Sequence, residues 1–376
     1  MRIEGEWLSA PSLRAVFALL GDAGHSAYVV GGAVRNAVMG LPVSDMDIAT
    51  DARPERVMAL AEAAELRVVA TGLDHGTVTV ISGDVPFEIT TFRQDVETDG
   101  RRAKVAFTDD LEADARRRDF TMNALYAGSD GVVIDPVGGI GDARAKRVRF
   151  IEDAGRRIEE DYLRILRFFR FSAVYGADSL DAEALAAIAA HLGGLEGLAS
   201  ERVGAEMRKL LAAEDPSLVL AAMARVGVLE RVLPGAVPDM VPVLVHHETG
   251  FAPDAMRRLA ALGGESPATH LRLSRAEAKR LETLRGGMAS TAGPGELGYR
   301  LGADAGRDVL LLRAAMGAVL PDGWPDDLEH GANAVFPVSA GDLMPGLSGK
   351  ALGDRLKALE AEWIGTGFSA TREDLL

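Results

Sequence analysis

"YVVGGAVRNAVMGLPVSDMDIAT", Tyr28 to Thr50, joins an apolar run to a Gly-Gly pair, a helix-like segment and two aspartates separated by one residue. An apolar strand entering Gly31-Gly32 ahead of "AVRNAVM" sets the open N–H groups and positive end of a helix beside residues with no side chain. A phosphate can approach that backbone, and Arg35, one turn in, is spaced to add a bidentate contact. An ordinary tight turn is the plainer alternative for a Gly pair before a helix. In a strand, residues two apart point to one face, so Asp45 and Asp47 would converge. Two like charges so placed repel unless a divalent cation neutralises them, and Mg²⁺ takes one or two carboxylates together with substrate phosphates. A solvated loop after Pro42 is the competing account. What favours the metal is its neighbour, because the phosphate cradle just upstream supplies what such an ion would bridge.

Working outward, a third carboxylate, Glu88, stands in "VPFEITTFR", a stretch whose β-branched and aromatic residues predict a strand. Either Glu88 faces solvent on an edge strand, or it joins Asp45 and Asp47 in the carboxylate set that two-metal displacement at phosphorus uses. "ARRRDFTMNALY", Ala115 to Tyr126, combines Arg118 and its neighbouring cations, suited to a triphosphate, with Asp119, Thr121 and Asn123, suited to a ribose. It also reads as an ordinary helix start with a charged first turn. In "EEDYLRILRFFRF", Glu159 to Phe171, helical spacing puts Glu160 and Asp161 within a turn of Arg164, and Arg167 and Arg170 continue the row. A surface helix laced with ion pairs has that pattern. So does a base reader: an Asp accepts from an exocyclic amino group and an Arg donates to the neighbouring acceptor. Cytosine and adenine present that pair of groups, whereas uracil and guanine do not. Glu160 is spaced to hold the Arg164 guanidinium in place.

The whole chain sets bounds on these readings. At 376 residues and 48% hydrophobic content it has room for two or three domains with real cores. The absence of Cys removes disulfides, thiolate metal sites and cysteine nucleophiles. No long uncharged apolar stretch occurs and acids interrupt the N-terminal segment, so no membrane association is expected and the cytoplasm is the expected compartment. The net charge of −15 argues against a broadly basic nucleic-acid binder. Arg144 to Arg170, with 9 basic against 5 acidic residues, leaves a local stripe for a polyanion. Short β-like runs alternate with helical patterns up to about residue 135, and amphipathic helical stretches follow from Glu152 onward. "PDGWPDDLEHGANAVFPVSAGD" reads as loop, "SGKALGDRLKALEAEWIGTG" as helix, and His246-His247-Glu248 as a loop or helix surface rather than a metal site.

In series, "VGGAVRN…DMDIAT", "EITTFR…DGR", "RRRDFTMNAL", "IDPVGG" and "EEDYLRILRFFRF" resemble the bacterial-type (class II) CCA-adding tRNA nucleotidyltransferases and their relatives the bacterial poly(A) polymerases. The resemblance covers roughly residues 25 to 175. It implies an α/β nucleotidyltransferase head of polymerase-β-like type over residues 1–140. An all-helical neck over 141–240 with base and RNA contacts would follow, then a helical body and tail over 241–376 that binds tRNA. It further implies Mg²⁺ on Asp45 and Asp47, and triphosphate contacts from Gly32, Arg35 and Arg118. Asp119 and Asn123 would lie near the ribose, and Asp161 and Arg164 would template the base with help from Arg167 and Arg170. "QDVETDGRRAKVAF" would be the loop that moves between C and A addition. The substrates would be CTP, ATP and the tRNA 3′ end, and no protein partner is deducible. One departure stands out: the family's "GGxVRD" has Asn36 in place of the acid. Poly(A) synthesis, CC-only or A-only addition share these motifs, and a catalytically silent RNA-binding protein on this scaffold is the alternative of a different class. The clustered acids argue against silence.

Overall fold

Runs rich in Val, Ile, Thr and Phe become strands where their composition predicts: β1 Ala27–Val30, β2 Asp47–Thr50, β3 Arg67–Gly72, β4 Thr77–Ser82 and β5 Val85–Thr91. The computed structural model describes residues 1–98, 103–176, 179–344 and 346–376. It adds a hairpin of β6 Arg93–Thr98 and β7 Ala103–Phe107, and two short strands, β8 Tyr126–Ala127 and β9 Val133–Ile134. The main sheet has seven strands in the order β3-β4-β5-β2-β1-β8-β9. Only β2 and β5 pair in parallel, and the chain between them carries the Pro54–Ala63 helix, which packs on β3, β4 and β5. Alternation along β5 sends Phe87, Ile89 and Thr91 into the core and leaves Glu88 exposed on the other face.

Two compact units divide the chain, Met1–Ala213 with Leu218–Val232, and Glu214–Ser217 with Leu233–Leu376. After β9 the described part of the first unit is helical, including Ala154–Glu160, Leu163–Tyr175, Ala182–Ala190 and Ser200–Leu211. Five phenylalanines, Phe120, Phe150, Phe168, Phe169 and Phe171, are buried together and join the Leu163–Tyr175 helix to the end of the sheet domain. The "EEDYLRILRFFRF" stretch is not one helix. It breaks at Asp161, whose backbone is extended (φ −156°) and whose Oδ1 accepts from the Leu163 N–H at 3.1 Å, so the side chain restarts a helix instead of continuing one.

The second unit is helical among its described residues. Its core holds an ion network, buried except at Arg280, in which Glu248 accepts from Arg257 and Arg258, and Asp308 accepts from Arg257 and Arg280. Charges this deep are retained only when every one is paired. Glu248, expected on a surface, is therefore a buried hub, placed there by capping the C-terminus of the Met240–His247 helix. "WPDDLEHGAN" is helix rather than loop, because Pro325 falls in the first turn, where its missing N–H costs nothing. That helix lies against Pro294–Leu301 so closely that a Cβ on Gly331 would stand 1.9 Å from the Gly295 carbonyl oxygen. The "SGKALGDRLKALEAEWIGTG" stretch is helical over Gly349–Gly365, as its pattern predicts.

Candidate active site

The strand register assembles the site. Val30, the last residue of β1, pairs with Asp47, and Asp47 pairs in parallel with Glu88. Residues directly opposite on neighbouring strands share a face, so Asp47 and Glu88 stand side by side, on a central strand pair rather than at an edge. Burial, the Glu88 charge and the Asp45 charge all push the Asp47 carboxyl above its usual range, and only Arg118 opposes them. Asp45 does not lie on β2. The strand begins at Asp47 because its partner ends at Val30 and turns away, so Asp45 stays in the preceding loop and accepts from Ser44 Oγ at 3.2 Å. Among the described residues no three His, Cys, Asp or Glu side chains stand together at metal-ligand distance. The donor set nevertheless fits a hard divalent cation: oxygen ligands only, with mutual repulsion that a cation would relieve.

Gly31 takes φ 70°, a left-handed conformation that a side chain would strain, and donates its N–H to the Leu125 carbonyl at 3.0 Å. The Gly32–Met39 helix that follows has no side-chain cap, which leaves its first-turn N–H groups open. A Cβ on Gly31 would stand 3.8 Å from Arg118 Nη1, and one on Gly32 would stand 3.6 Å from Arg35 Nη2. Two guanidinium groups thus flank the bare turn. Arg118 follows the Leu111–Arg116 helix, so the arginines close a helix rather than open one. It is held by Asp114 Oδ2 at 3.0 Å and by the Tyr126 hydroxyl at 3.0 Å, while Tyr126 itself donates to Asp114 at 2.7 Å. Burial works against the Arg118 charge, but Asp114 outweighs it, and the guanidinium titrates above its ordinary value.

Arg35 is buried and almost fully engaged. Nη1 donates to Asn123 Oδ1 at 2.5 Å, Nε and Nη2 donate to Asn36 Oδ1, and Nη2 also donates to the Tyr175 hydroxyl at 2.6 Å. Desolvation lowers its pKa. One N–H of the five remains, so the open fork that a bidentate contact needs is not present. Asn36 explains its own departure from the acidic pattern: while Oδ1 accepts from Arg35, Nδ2 donates to the Pro42 carbonyl at 2.9 Å, which a carboxylate cannot do. The amide ties the arginine to the loop leading to Asp45.

Asn123 Nδ2 donates to Asp119 Oδ1 at 2.9 Å, and Asp119 Oδ2 accepts from Arg167 at 2.6 Å. Burial favours the neutral acid, but Arg167, Asn123 and the Phe120 N–H outweigh it and hold the Asp119 carboxyl down at about 2. Farther along, Arg164 pairs with Glu160 at 2.6 Å, the contact their spacing predicts, and donates to the carbonyls of Arg157 and Arg117. Asp161 is turned to Arg202 Nη2 at 2.7 Å, and Arg170 pairs with the buried Glu206, both partners lying on the Ser200–Leu211 helix. Arg147 and Arg149 share the buried Asp142. The basic stripe is therefore largely ion-paired within the protein. Of the loop at 94–107, residues 99–102 lie outside the described residues, and the rest forms the β6–β7 hairpin.

Sequence reasoning missed Asp114, Tyr126, Arg202, Glu206 and Tyr175. Asp114 carried a signal, since it lies three and four residues ahead of Arg117 and Arg118 and bonds both. Tyr175, 140 positions from Arg35, carried none.

Two family models match in order: the poly(A) polymerase head domain over residues 27–149, and the probable RNA- and SrmB-binding site of polymerase A over residues 179–240. The chain belongs to the class II family of CCA-adding enzymes and poly(A) polymerases. Among family relatives, the mitochondrial CCA tRNA nucleotidyltransferase 1 of Mus musculus is 37% identical over 264 residues, 69% of this chain and 61% of the mouse protein. A CCA-adding enzyme of Streptococcus pyogenes is 44% identical over 194 residues, 51% of this chain and 47% of that protein. The chain thus aligns with about half to three-fifths of the length of these curated relatives. The crystal structure of the Bacillus stearothermophilus CCA-adding enzyme in complex with CTP is similar, with 28% identity, a TM-score of 0.74, and coverage of 95% of this chain and 94% of that one. Family nucleotidyltransferases generally use metal ions. No helix among the described residues is long and apolar enough to cross a membrane.

Proposed function

We propose that this chain is a template-independent nucleotidyltransferase that adds CMP and AMP to the 3′ end of tRNA, completing or repairing the CCA terminus. One observation carries the proposal: Asp47, on the strand beside the one that enters the bare Gly-Gly turn flanked by Arg118 and Arg35, is paired with Glu88 on the next strand. Gly31, Gly32, Arg35 and Arg118 bind the triphosphate, and Asp119 and Asn123 lie toward the ribose. Asp45 and Asp47 hold one or two Mg²⁺ ions, and Glu88 supports them or takes the proton of the 3′ hydroxyl. Such ions, when bound, supply positive charge at the transferring phosphate. The 3′ oxygen attacks the α-phosphorus in line, the bond to the bridging oxygen breaks, and pyrophosphate leaves. Arg118, kept charged by Asp114, offsets the charge that develops on that leaving group. Asp161 and Arg164 read the amino and acceptor edge shared by cytosine and adenine, Glu160 steadies Arg164, and Arg167 and Arg170 assist.

The names of the curated relatives support the activity, and the CTP in the Bacillus stearothermophilus structure supports that substrate. A head over 1–140, a neck over 141–240, and a tRNA-binding body and tail over 241–376 belong to the same proposal. So does a cytoplasmic setting, although relatives include mitochondrial forms. The first test is turnover on a tRNA transcript lacking its CCA end, with CTP, ATP and Mg²⁺. Asp45→Ala or Asp47→Ala should each lose roughly three orders of magnitude, about 4 kcal/mol in the barrier, with the fold intact. Near-normal turnover in either variant removes the metal assignment.

A further inference from the structure

Arg35 is clasped from one side by a residue that the reaction has not used so far. The Leu163–Tyr175 helix ends with Tyr175, whose hydroxyl oxygen accepts from Arg35 Nη2 at 2.6 Å. The Arg35 guanidinium also lies over the Tyr175 ring, 4.2 Å from its centroid, and that ring stacks on Phe171 at 5.8 Å. The ring is thereby fixed from two sides. Arg35 Nη2 is in turn 3.6 Å from where a Cβ on Gly32 would stand, so the Tyr175 oxygen lies one guanidinium away from the bare turn.

The hydrogen-bond account of that hydroxyl is half complete. Its oxygen accepts from a cation, but among the described residues nothing accepts its own proton. A phenol that accepts from a guanidinium is a stronger donor, because the cation withdraws charge from its oxygen. Arg35 itself keeps only one N–H for a ligand, as counted above. A triphosphate at the turn would therefore meet two neighbouring donors: the remaining N–H of Arg35, on Nη1, and the O–H of Tyr175, which Nη2 of the same guanidinium holds in place.

We propose that Tyr175 is a further nucleotide-binding residue, its hydroxyl donating to a triphosphate oxygen beside Arg35. This rests on the assignment of the Gly31-Gly32 turn as the triphosphate site. It assigns the residue a contact to phosphate rather than to base, so it acts on CTP and ATP alike.

The test is equilibrium binding of CTP, ATP and CMP to the full chain and to Tyr175→Phe, which keeps the ring, its stacking and its cation contact. The expected result is a roughly tenfold weaker affinity for CTP and ATP, the loss of one hydrogen bond to a charged group, with CMP binding unchanged and a modest drop in thermal midpoint from the Arg35 N–H left without its acceptor. Unchanged CTP affinity would overturn the contact, and equal weakening of CTP and CMP would overturn its assignment to the triphosphate. Arg35→Lys, alone and combined with Tyr175→Phe, separates a direct bond from mere positioning of the arginine. Independent losses support the direct bond, whereas no further loss on adding Tyr175→Phe contradicts it. If the unaltered protein bound no CTP at all, the functional reading itself would fail, an outcome distinct from any of these.

Discussion

Asp119 shows how one carboxylate is made to hold a site together. It is buried, accepts from Asn123, Arg167 and the Phe120 N–H, and is held at about 2, below the ordinary aspartate value. A depressed pKa stabilises the fold at pH values above the unfolded pKa, near 4, and that contribution is lost as pH falls toward 2. The amount is on the order of 2 kcal/mol. Unfolding in urea at pH 7, 4 and 3 should show the wild type weakening over that interval, with Asp119→Asn less stable at pH 7 and changing less with acid. An equal acid dependence in both proteins would mean that Asp119 is not the group being titrated. At this scale the sequence is legible for residue type and blind to partners. Asp119, Asn123 and Arg118 stand out by composition, but that Asn123 bridges Asp119 to Arg35 depends on contacts 88 residues apart that no local pattern encodes.

The element proposed to give the site its selectivity is an interrupted helix, not a continuous one. The i, i+4 pair Glu160 and Arg164 forms across the break, as its spacing predicts. The break itself was not legible, because it arises where the Asp161 side chain competes for the Leu163 N–H and where Arg202, 41 residues on, holds the same carboxylate. With base reading by this pair, Asp161→Ala should lower discrimination of CTP and ATP over UTP and GTP by about 1–3 kcal/mol, roughly 10- to 200-fold. Incorporation of each nucleotide on a tRNA lacking CCA measures it. An unchanged preference, with stability altered by less than about 1 kcal/mol, would return Asp161 and Arg202 to the status of an ordinary surface pair. Strands were more legible than this helix because alternation fixes which face each residue takes. Their register was not, and register is what sets Asp47 beside Glu88 and leaves Asp45 in the loop.

Across the whole molecule, a net charge of −15 coexists with arginines concentrated between 144 and 170, and internal pairing reconciles the two. Arg147 and Arg149 share one aspartate, and Arg167 and Arg170 face Asp119 and Glu206. The order of elements, sheet first and helices after, was legible from the change in hydrophobic period near residue 135. The second unit was legible only as helical, since its buried network of Arg257, Arg258, Glu248 and Asp308 joins segments far apart in sequence. The proposed function places the phosphoryl-transfer chemistry and the choice of nucleotide on one chain. It is tested most directly by giving the purified protein a tRNA transcript that lacks its 3′ terminal triplet, with CTP and ATP together, and sequencing the product ends. The expected products end in C, C and A in that order followed by termination, with no addition to a transcript that already ends in CCA; a run of A on either transcript, or no extension of the truncated one, would overturn the proposed function.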